Sequence, residues 1–91
     1  MNRQDLIDAI AADTESSKAA VGRFLDSFIN QVQGSVASGD AVKLSGFGTF
    51  EKANVAARAG RNPKTGEIIS LPPTVRPRFT PGATFKALVK G

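Results

Sequence analysis

The side chains of this sequence that could take part in chemistry are mainly cations. The 91 residues include no Cys and no His, which excludes thiol nucleophiles, Ser-His triads, disulfides and zinc sites built from those side chains. The carboxylates lie mostly in the first half without a second reactive group beside them, so an enzyme is not expected. Twelve Lys and Arg against eight Asp and Glu give a net charge of +4. That positive charge favours an anionic partner. No cofactor and no metal are expected.

The charge is divided unevenly along the chain. Residues 1–42 contain three basic and six acidic side chains, a net charge of −3, whereas residues 43–91 contain nine basic and two acidic ones, a net charge of +7. This asymmetry favours a first half that folds and dimerises and a second half that meets a polyanion. An ordinary solvated surface is the alternative explanation of the charge alone.

The span from Ala53 to Glu67 has too few apolar residues to belong to a core, since Val55 is its one large aliphatic residue. A two-stranded hairpin without an apolar face gains too little burial to be stable alone. Strands over 53–62 and 67–76 would each reach about 33 Å. We therefore predict a long arm over about 53–76 that is mobile until a partner orders it. Its charges suit a phosphate backbone, and they are carried by Arg58, Arg61, Lys64 and Arg76.

Pro63 lies at or beside the tip of this arm, within the strongest turn signal of the sequence, 61–66. An apolar ring in that position can wedge between base pairs and kink a duplex, while the flanking Arg61 and Asn62 occupy the minor groove. A plain turn proline is the alternative.

Two helices are predicted in the first half. Apolar residues at helical spacing predict a first helix capped by Asn2, with Asp5 three residues later. A longer apolar stripe from Val21 to Val36 predicts a second helix that ends near Ser38, before a left-handed Gly39. The two halves together predict an α+β fold.

The second half changes to a strand pattern, with a tight turn at 46–48. Pro72-Pro73 interrupts this pattern and predicts an edge or a bulge, because proline cannot donate to a ladder. Thr80-Pro81 predicts an N-cap and first residue of a short helix that runs to about Lys90. The predicted strands are 42–44, 50–59, 67–71 and 74–79.

A single domain over 1–91 is predicted, with a helical dimerisation half (1–42), a sheet (43–79) and a C-terminal helix (80–91). No stretch approaches the roughly 18 apolar residues of a membrane span. The first residues also lack the profile of a secretory signal. A soluble, intracellular protein is therefore expected.

Three motifs resemble the bacterial histone-like HU proteins and their relative, integration host factor. They are 46–50 (GFGTF), 60–66 (GRNPKTG) and 78–82 (RFTPG), and the match covers essentially the whole chain. The resemblance implies an intertwined homodimer with a helical body, a three-stranded antiparallel sheet extended into long β-hairpin arms, and a short C-terminal helix. The arms of such proteins embrace double-stranded DNA in the minor groove. A cytoplasmic, nucleoid-associated protein that bends or condenses DNA with weak sequence preference is therefore expected.

The resemblance also assigns roles to individual residues. Pro63 would intercalate, Arg61 and Asn62 would contact the adjacent minor groove, and Arg58 would contact DNA along the arm. Further DNA contacts are expected at Lys64, Arg76, Arg78, Lys86, Lys90 and Arg3. The aromatic core shared between subunits would consist of Phe47, Phe50 and Phe79.

Some positions depart from the family pattern. Relatives often carry basic residues where this chain has Ala53, Val55, Thr80 and Ala83, whereas Arg76 and Arg78 add charge nearby. A redistribution of the basic surface is expected from these differences.

A pure dimerisation module, which would show no salt-dependent DNA binding, is one alternative, and two alternatives that bind nucleic acid also stay open. One is a subunit like those of integration host factor, which works as a heterodimer and selects particular sites. The other is a basic RNA-binding protein, although an intercalating tip suits a deformable B-form duplex better than a deep-grooved A-form helix.

Overall fold

The computed structural model describes Met1–Gly91, which divides into two compact units, Met1–Gly34 and Ser35–Gly91. Helices and antiparallel strands are both present, so the predicted α+β class is confirmed. None of the helices combines the length and the apolar character that a bilayer span needs. The elements are α1 (Arg3–Thr14), α2 (Lys18–Ala37), β1 (Val42–Leu44), β2 (Gly48–Val55), β3 (Arg58–Arg61), β4 (Ile68–Leu71), β5 (Thr74–Pro81) and α3 (Ala83–Lys90).

The first helix begins with the predicted cap. The Asn2 side chain accepts a hydrogen bond from the backbone N–H of Asp5 at 2.9 Å, and the Asp5 carboxylate accepts one from the backbone N–H of Asn2 at 3.2 Å. This reciprocal capping box satisfies two donors that the helix cannot use internally. Asp8 of the same helix accepts a hydrogen bond from the Gln4 amide and pairs with Lys18 of α2. The Gln4 hydrogen bond, followed by Lys18, holds the pKa of the Asp8 carboxyl below its usual value.

The first unit has a very small interior. Only Ile7, Ala11 and Val21 are buried, with Ile10 and Leu25 packed against them. Three other residues of the apolar stripe of α2, Phe24, Phe28 and Ile29, are exposed, and Phe24 reaches 67%. A stripe of this kind normally faces a core, so α2 presents apolar surface that one chain leaves uncovered.

The second unit is built on a three-stranded antiparallel sheet in which β2 lies between β1 and β5. Phe50 of β2 is opposite Val42 on one side and Phe79 on the other. Because β5 is an edge strand, its Pro77 lies where a missing N–H is tolerated. Strands β3 and β4 form a separate two-stranded sheet at the far end of the hairpin.

The prediction of a continuous strand over 50–59 was wrong, because the ladder is interrupted between Val55 and Arg58. The interruption leaves Ala56-Ala57 on one strand and Pro72-Pro73 on the other without pairing. The two prolines have no N–H to donate, which explains why the ladder stops here. Equal numbers of residues are skipped on each side, so the break leaves the register unchanged and is not the bulge that the sequence allowed.

Four phenylalanines form a cluster where β2, β5 and α3 meet. Phe50 and Phe79 are paired across the ladder with ring centroids 4.8 Å apart, and Phe47 stacks on Phe85 at 5.5 Å and 7°. Such contacts add to the free energy gained from burial alone. Gly48 lies buried beside them, and it leaves no room for a side chain, since a Cβ there would be 2.5 Å from the Phe79 ring.

The predicted N-cap of the last helix was also wrong. Thr80 and Pro81 continue β5, and α3 begins after Gly82, which makes no side-chain cap. Backbone contacts set this start: the Gly82 N–H donates to the Phe47 carbonyl at 2.8 Å, and the Phe85 N–H donates to the Gly46 carbonyl at 3.1 Å. A Cβ at Gly82 would lie 2.9 Å from the carbonyl carbon of Gly46, so only glycine permits this approach.

Candidate functional site

The turn at the tip of the arm, Pro63–Thr65, is held by hydrogen bonds around Asn62. The Asn62 N–H donates to the Glu67 carbonyl, and the Gly66 N–H donates to the Asn62 carbonyl, both at 2.8 Å. The Asn62 side-chain oxygen accepts from the Lys64 N–H at 2.9 Å. The result is a fixed turn with Pro63 exposed at its outer end.

The arginines of β3 lie on opposite faces of the hairpin. Arg58 and Arg61 are three residues apart on one strand, and side chains alternate between faces with a period of two. Both are exposed, as is Lys64 in the turn. None of the three takes part in the ion pairs of the chain. The tip therefore offers uncompensated positive charge in two directions.

A second group of cations lies nearer the base of the arm, on the side of the sheet opposite the phenylalanine cluster. We call this side the arginine face. Register places Arg76 opposite Ala53 and Arg78 opposite Glu51, while Lys43 of β1 pairs with Thr49 on the same side. The Arg78 guanidinium donates through Nε at 3.0 Å and through Nη2 to Glu51 Oε1, whereas Arg76 has no carboxylate partner.

Three of the four uncharged positions noted in the sequence lie on the arginine face, and the fourth is close to it in the chain. Ala53, Val55 and Thr80 share the face, and Ala83 is the first residue of α3. Arg76 stands directly across the ladder from Ala53. At this point of the ladder the basic side chain is therefore on β5 and not on β2. The redistribution of charge relative to relatives stays a prediction.

Lys86 and Lys90 lie four residues apart on α3 and so share one face of the helix. They border an open apolar groove of about 480 Å³. The other residues that line the groove are Phe79, Pro81, Phe85 and Val89.

Arg3 belongs to the other compact unit. Its guanidinium lies 2.7 Å from the carboxylate of Asp26, and both side chains are largely solvated. Its charge is therefore partly compensated within that unit, unlike the charges of the arm.

Three residues of these surfaces were not among the predicted site residues. Phe85 completes the aromatic cluster, and its helical spacing with Leu88 and Val89 was the signal available. Glu51 and Lys43 lie on the arginine face, which becomes visible only once the strand register is known. The DNA-contact, intercalation and dimer-core roles stay predictions.

Known proteins resemble this chain over nearly all of its length. The family model described as bacterial DNA-binding protein matches residues 1–90. DNA-binding protein HU-beta of Escherichia coli strain K12 is 48% identical over 89 residues, covering 98% of this chain and 99% of the relative. HU-beta of Pseudomonas fluorescens is 46% identical with the same coverage.

Solved structures agree with the sequence matches. The HU–DNA cocrystal structure from Anabaena has a TM-score of 0.85 and 39% identity, and the match covers 98% of this chain and 97% of that one. HU from Thermotoga maritima has a TM-score of 0.69 and 27% identity, with 98% of each chain covered. The chain therefore belongs to the HU family of bacterial DNA-binding proteins.

Proposed function

We propose that this chain binds double-stranded DNA largely without sequence specificity, places its arms in the minor groove and bends the duplex by intercalating Pro63. The coarser part of this statement follows from family membership: the chain is a DNA-binding, nucleoid-associated protein of the HU family and not an enzyme. The arm mechanism goes further and has its own support.

The observation that carries the mechanism is the tip of the arm. An exposed proline stands at the end of a hydrogen-bonded turn, and unpaired cations flank it on both faces of a narrow hairpin. A ribbon in a groove has phosphates on both sides, so charge on both faces is what such a position requires. The apolar ring can then enter a base step that the bound arms have already widened.

A second copy of the chain completes this arrangement. The dimer is the typical form of the family, and one chain alone leaves large apolar side chains uncovered. Phe24 is 67% exposed on α2, and Leu88 and Val89 are 78% and 75% exposed on α3. We propose a homodimer that covers these surfaces, with Phe47, Phe50 and Phe79 in the shared core. Two arms from one body would then grip the duplex at two points.

Replacing Pro63 by Ala tests the wedge. We expect the bend angle of a bound duplex, measured by energy transfer between its labelled ends at saturating protein, to fall clearly. Affinity should fall much less, because the phosphate contacts remain. Pro77→Ala is the matched control, since Pro77 is also exposed but lies in β5 away from the tip. An unchanged bend angle in Pro63→Ala would show that the ring does not wedge.

Gel-shift titrations across a salt series separate this function from the alternatives. If about 6–10 phosphates are neutralised, log K should fall with log salt with a slope of about 0.9 for each contact. Nicked and pre-bent duplexes should bind more tightly than linear DNA, because less deformation energy is then needed. A slope near zero would contradict the electrostatic account, and tighter binding of duplex RNA would favour the RNA-binding alternative.

The oligomeric state discriminates between the two members of the family. We expect the purified chain to have the mass of a homodimer and to protect no preferred sequence in a footprint. A chain that is stable only with a second, different subunit and protects one site would instead resemble integration host factor.

A further inference from the structure

We propose that Glu51 restrains Arg78 and thereby limits how strongly the arginine face binds a polyanion. This inference rests on the proposed DNA binding and adds a residue that opposes it. The phosphodiester backbone is the ligand concerned, since its charge attracts Arg78 and is repelled by Glu51.

The first support is the geometry of the pair. Residues 51 and 78 are direct partners across the ladder, where side chains on the same face meet closely. Both the Nε and the Nη2 of Arg78 donate to the same oxygen, Oε1 of Glu51. The guanidinium is thus turned along the sheet towards its neighbour, and a phosphate must compete with the carboxylate for those two donors.

The second support is the composition of the face. Glu51 is the only carboxylate in β1, β2 and β5, and it stands among three cations, Lys43, Arg76 and Arg78. Its side chain is 30% exposed and that of Arg78 is 60% exposed, so both are within reach of a ligand that lies on the sheet. One acidic group therefore removes a third of the positive charge available to a polyanion there.

The third support is that the fold has little need of the pair. Ion pairs between solvated side chains contribute little to stability. The aromatic cluster lies on the opposite side of the sheet, since Phe50 and Phe79 are the adjacent pair in the ladder. Removing the charge of Glu51 should therefore change binding without disturbing the packing of the sheet.

The test is Glu51→Gln, which keeps the size of the side chain and removes its charge. We expect tighter binding to a linear duplex at low salt and a steeper salt dependence, by up to about 0.9 in slope for each chain. The gain over the parent protein should shrink by about threefold for each added phosphate contact between about 50 and 200 mM salt. Asp13→Asn, an exposed position on α1, controls for the change in net charge.

Two further variants show whether Glu51 acts through Arg78 or directly on the DNA. If Glu51 acts through Arg78, the gain should be clearly smaller for the double variant Glu51→Gln/Arg78→Gln compared with Arg78→Gln alone than for Glu51→Gln compared with the parent. A gain of undiminished size would mean that Glu51 acts by general repulsion alone, which would overturn the proposed restraint on Arg78. Equal affinities and slopes for Glu51→Gln and the parent would overturn it as well.

Failure of the proposed DNA binding can be told apart from failure of the proposed role of Glu51. If the parent itself showed no salt-dependent binding to DNA, the DNA-binding mechanism would fall, and the role of Glu51 with it. A parent that binds with a steep slope while Glu51→Gln matches it leaves DNA binding intact and removes only the restraint. Thermal unfolding of each variant confirms that the compared proteins are folded.

Discussion

Two turns join strands of the same hairpin system, and they are stabilised in different ways. The base turn, Ser45–Phe47, lies against the phenylalanine cluster and the backbone of Gly82. The tip turn, Pro63–Thr65, is held by hydrogen bonds of Asn62 and by no packing of comparable extent. Each turn is accompanied by a glycine with positive φ, Gly46 at +80° and Gly66 at +74°. A Cβ at Gly46 would lie 3.4 Å from the Thr84 side chain, whereas nothing lies within 4 Å of one at Gly66.

Because of this difference, residues at the base of the arm contribute mainly to folding, and residues at its tip are available for binding. Contacts among the partly covered phenylalanines and the close backbone packing at Gly82 supply free energy that fixes the sheet at the base. The tip contributes little to that free energy, so its side chains are available for a partner. Substitutions that compare the base with the tip measure how complete this separation is.

The largest effect is expected at Gly48. An added Cβ would lie 2.5 Å from the Phe79 ring and 2.7 Å from the Thr80 carbonyl, so either the cluster or the ladder must open. We expect Gly48→Ala to lower the free energy of unfolding by about 4 kcal/mol or more. Urea titration at a fixed protein concentration measures this loss.

Gly66→Ala is its counterpart at the tip. Nothing lies within 4 Å of a Cβ there, so the cost comes from the positive φ alone, about 1–2 kcal/mol. Equal losses for the two glycine variants would show that base and tip are not energetically distinct.

A smaller effect is expected at Phe79. Its ring contacts Phe47, Phe50 and Phe85 but is 37% exposed, so Phe79→Ala should cost about 2 kcal/mol, less than the loss of a fully buried ring. Ile68→Ala is the matched change at the tip, where the side chain is 73% exposed and the expected loss is under about 0.5 kcal/mol. Calorimetry of both variants gives the ranking, and a larger loss for Ile68→Ala would reverse the assignment of the stable region.

A small effect on stability is also expected at the break in the ladder. Replacing Pro72 and Pro73 by Thr restores backbone donors opposite Ala56-Ala57 and should change the free energy of unfolding by less than about 1 kcal/mol. Amide hydrogen exchange should nevertheless slow at 56–58, because the two ladders become continuous. Pro77→Thr, a position already within a paired strand, is the control. Unchanged exchange at 56–58 would mean that the prolines do not cause the interruption.

The sequence was sufficient to predict features that depend on neighbours along the chain. The capping box at Asn2, the left-handed Gly39 and a turn within 61–66 follow from local chemistry, and the structure contains all three. The start of α3 was mistaken because it depends on a backbone contact between Gly46 and Gly82, which are distant in sequence. Likewise, Arg78 could be recognised as a cation but not as the partner of Glu51, since that requires the register of two strands.

The hydrogen bond from Gly82 to Phe47 also bears on how the arm can evolve. It fixes the two ends of the segment 48–81, so everything between them is a loop closed at its base. The strands between these ends pair outward from the base in one unchanged register, so adding or removing equal numbers of residues on both strands keeps the remaining pairs. The arm could therefore lengthen, shorten or change its charge at little thermodynamic cost, provided that the closure at Gly82 and Phe47 is kept.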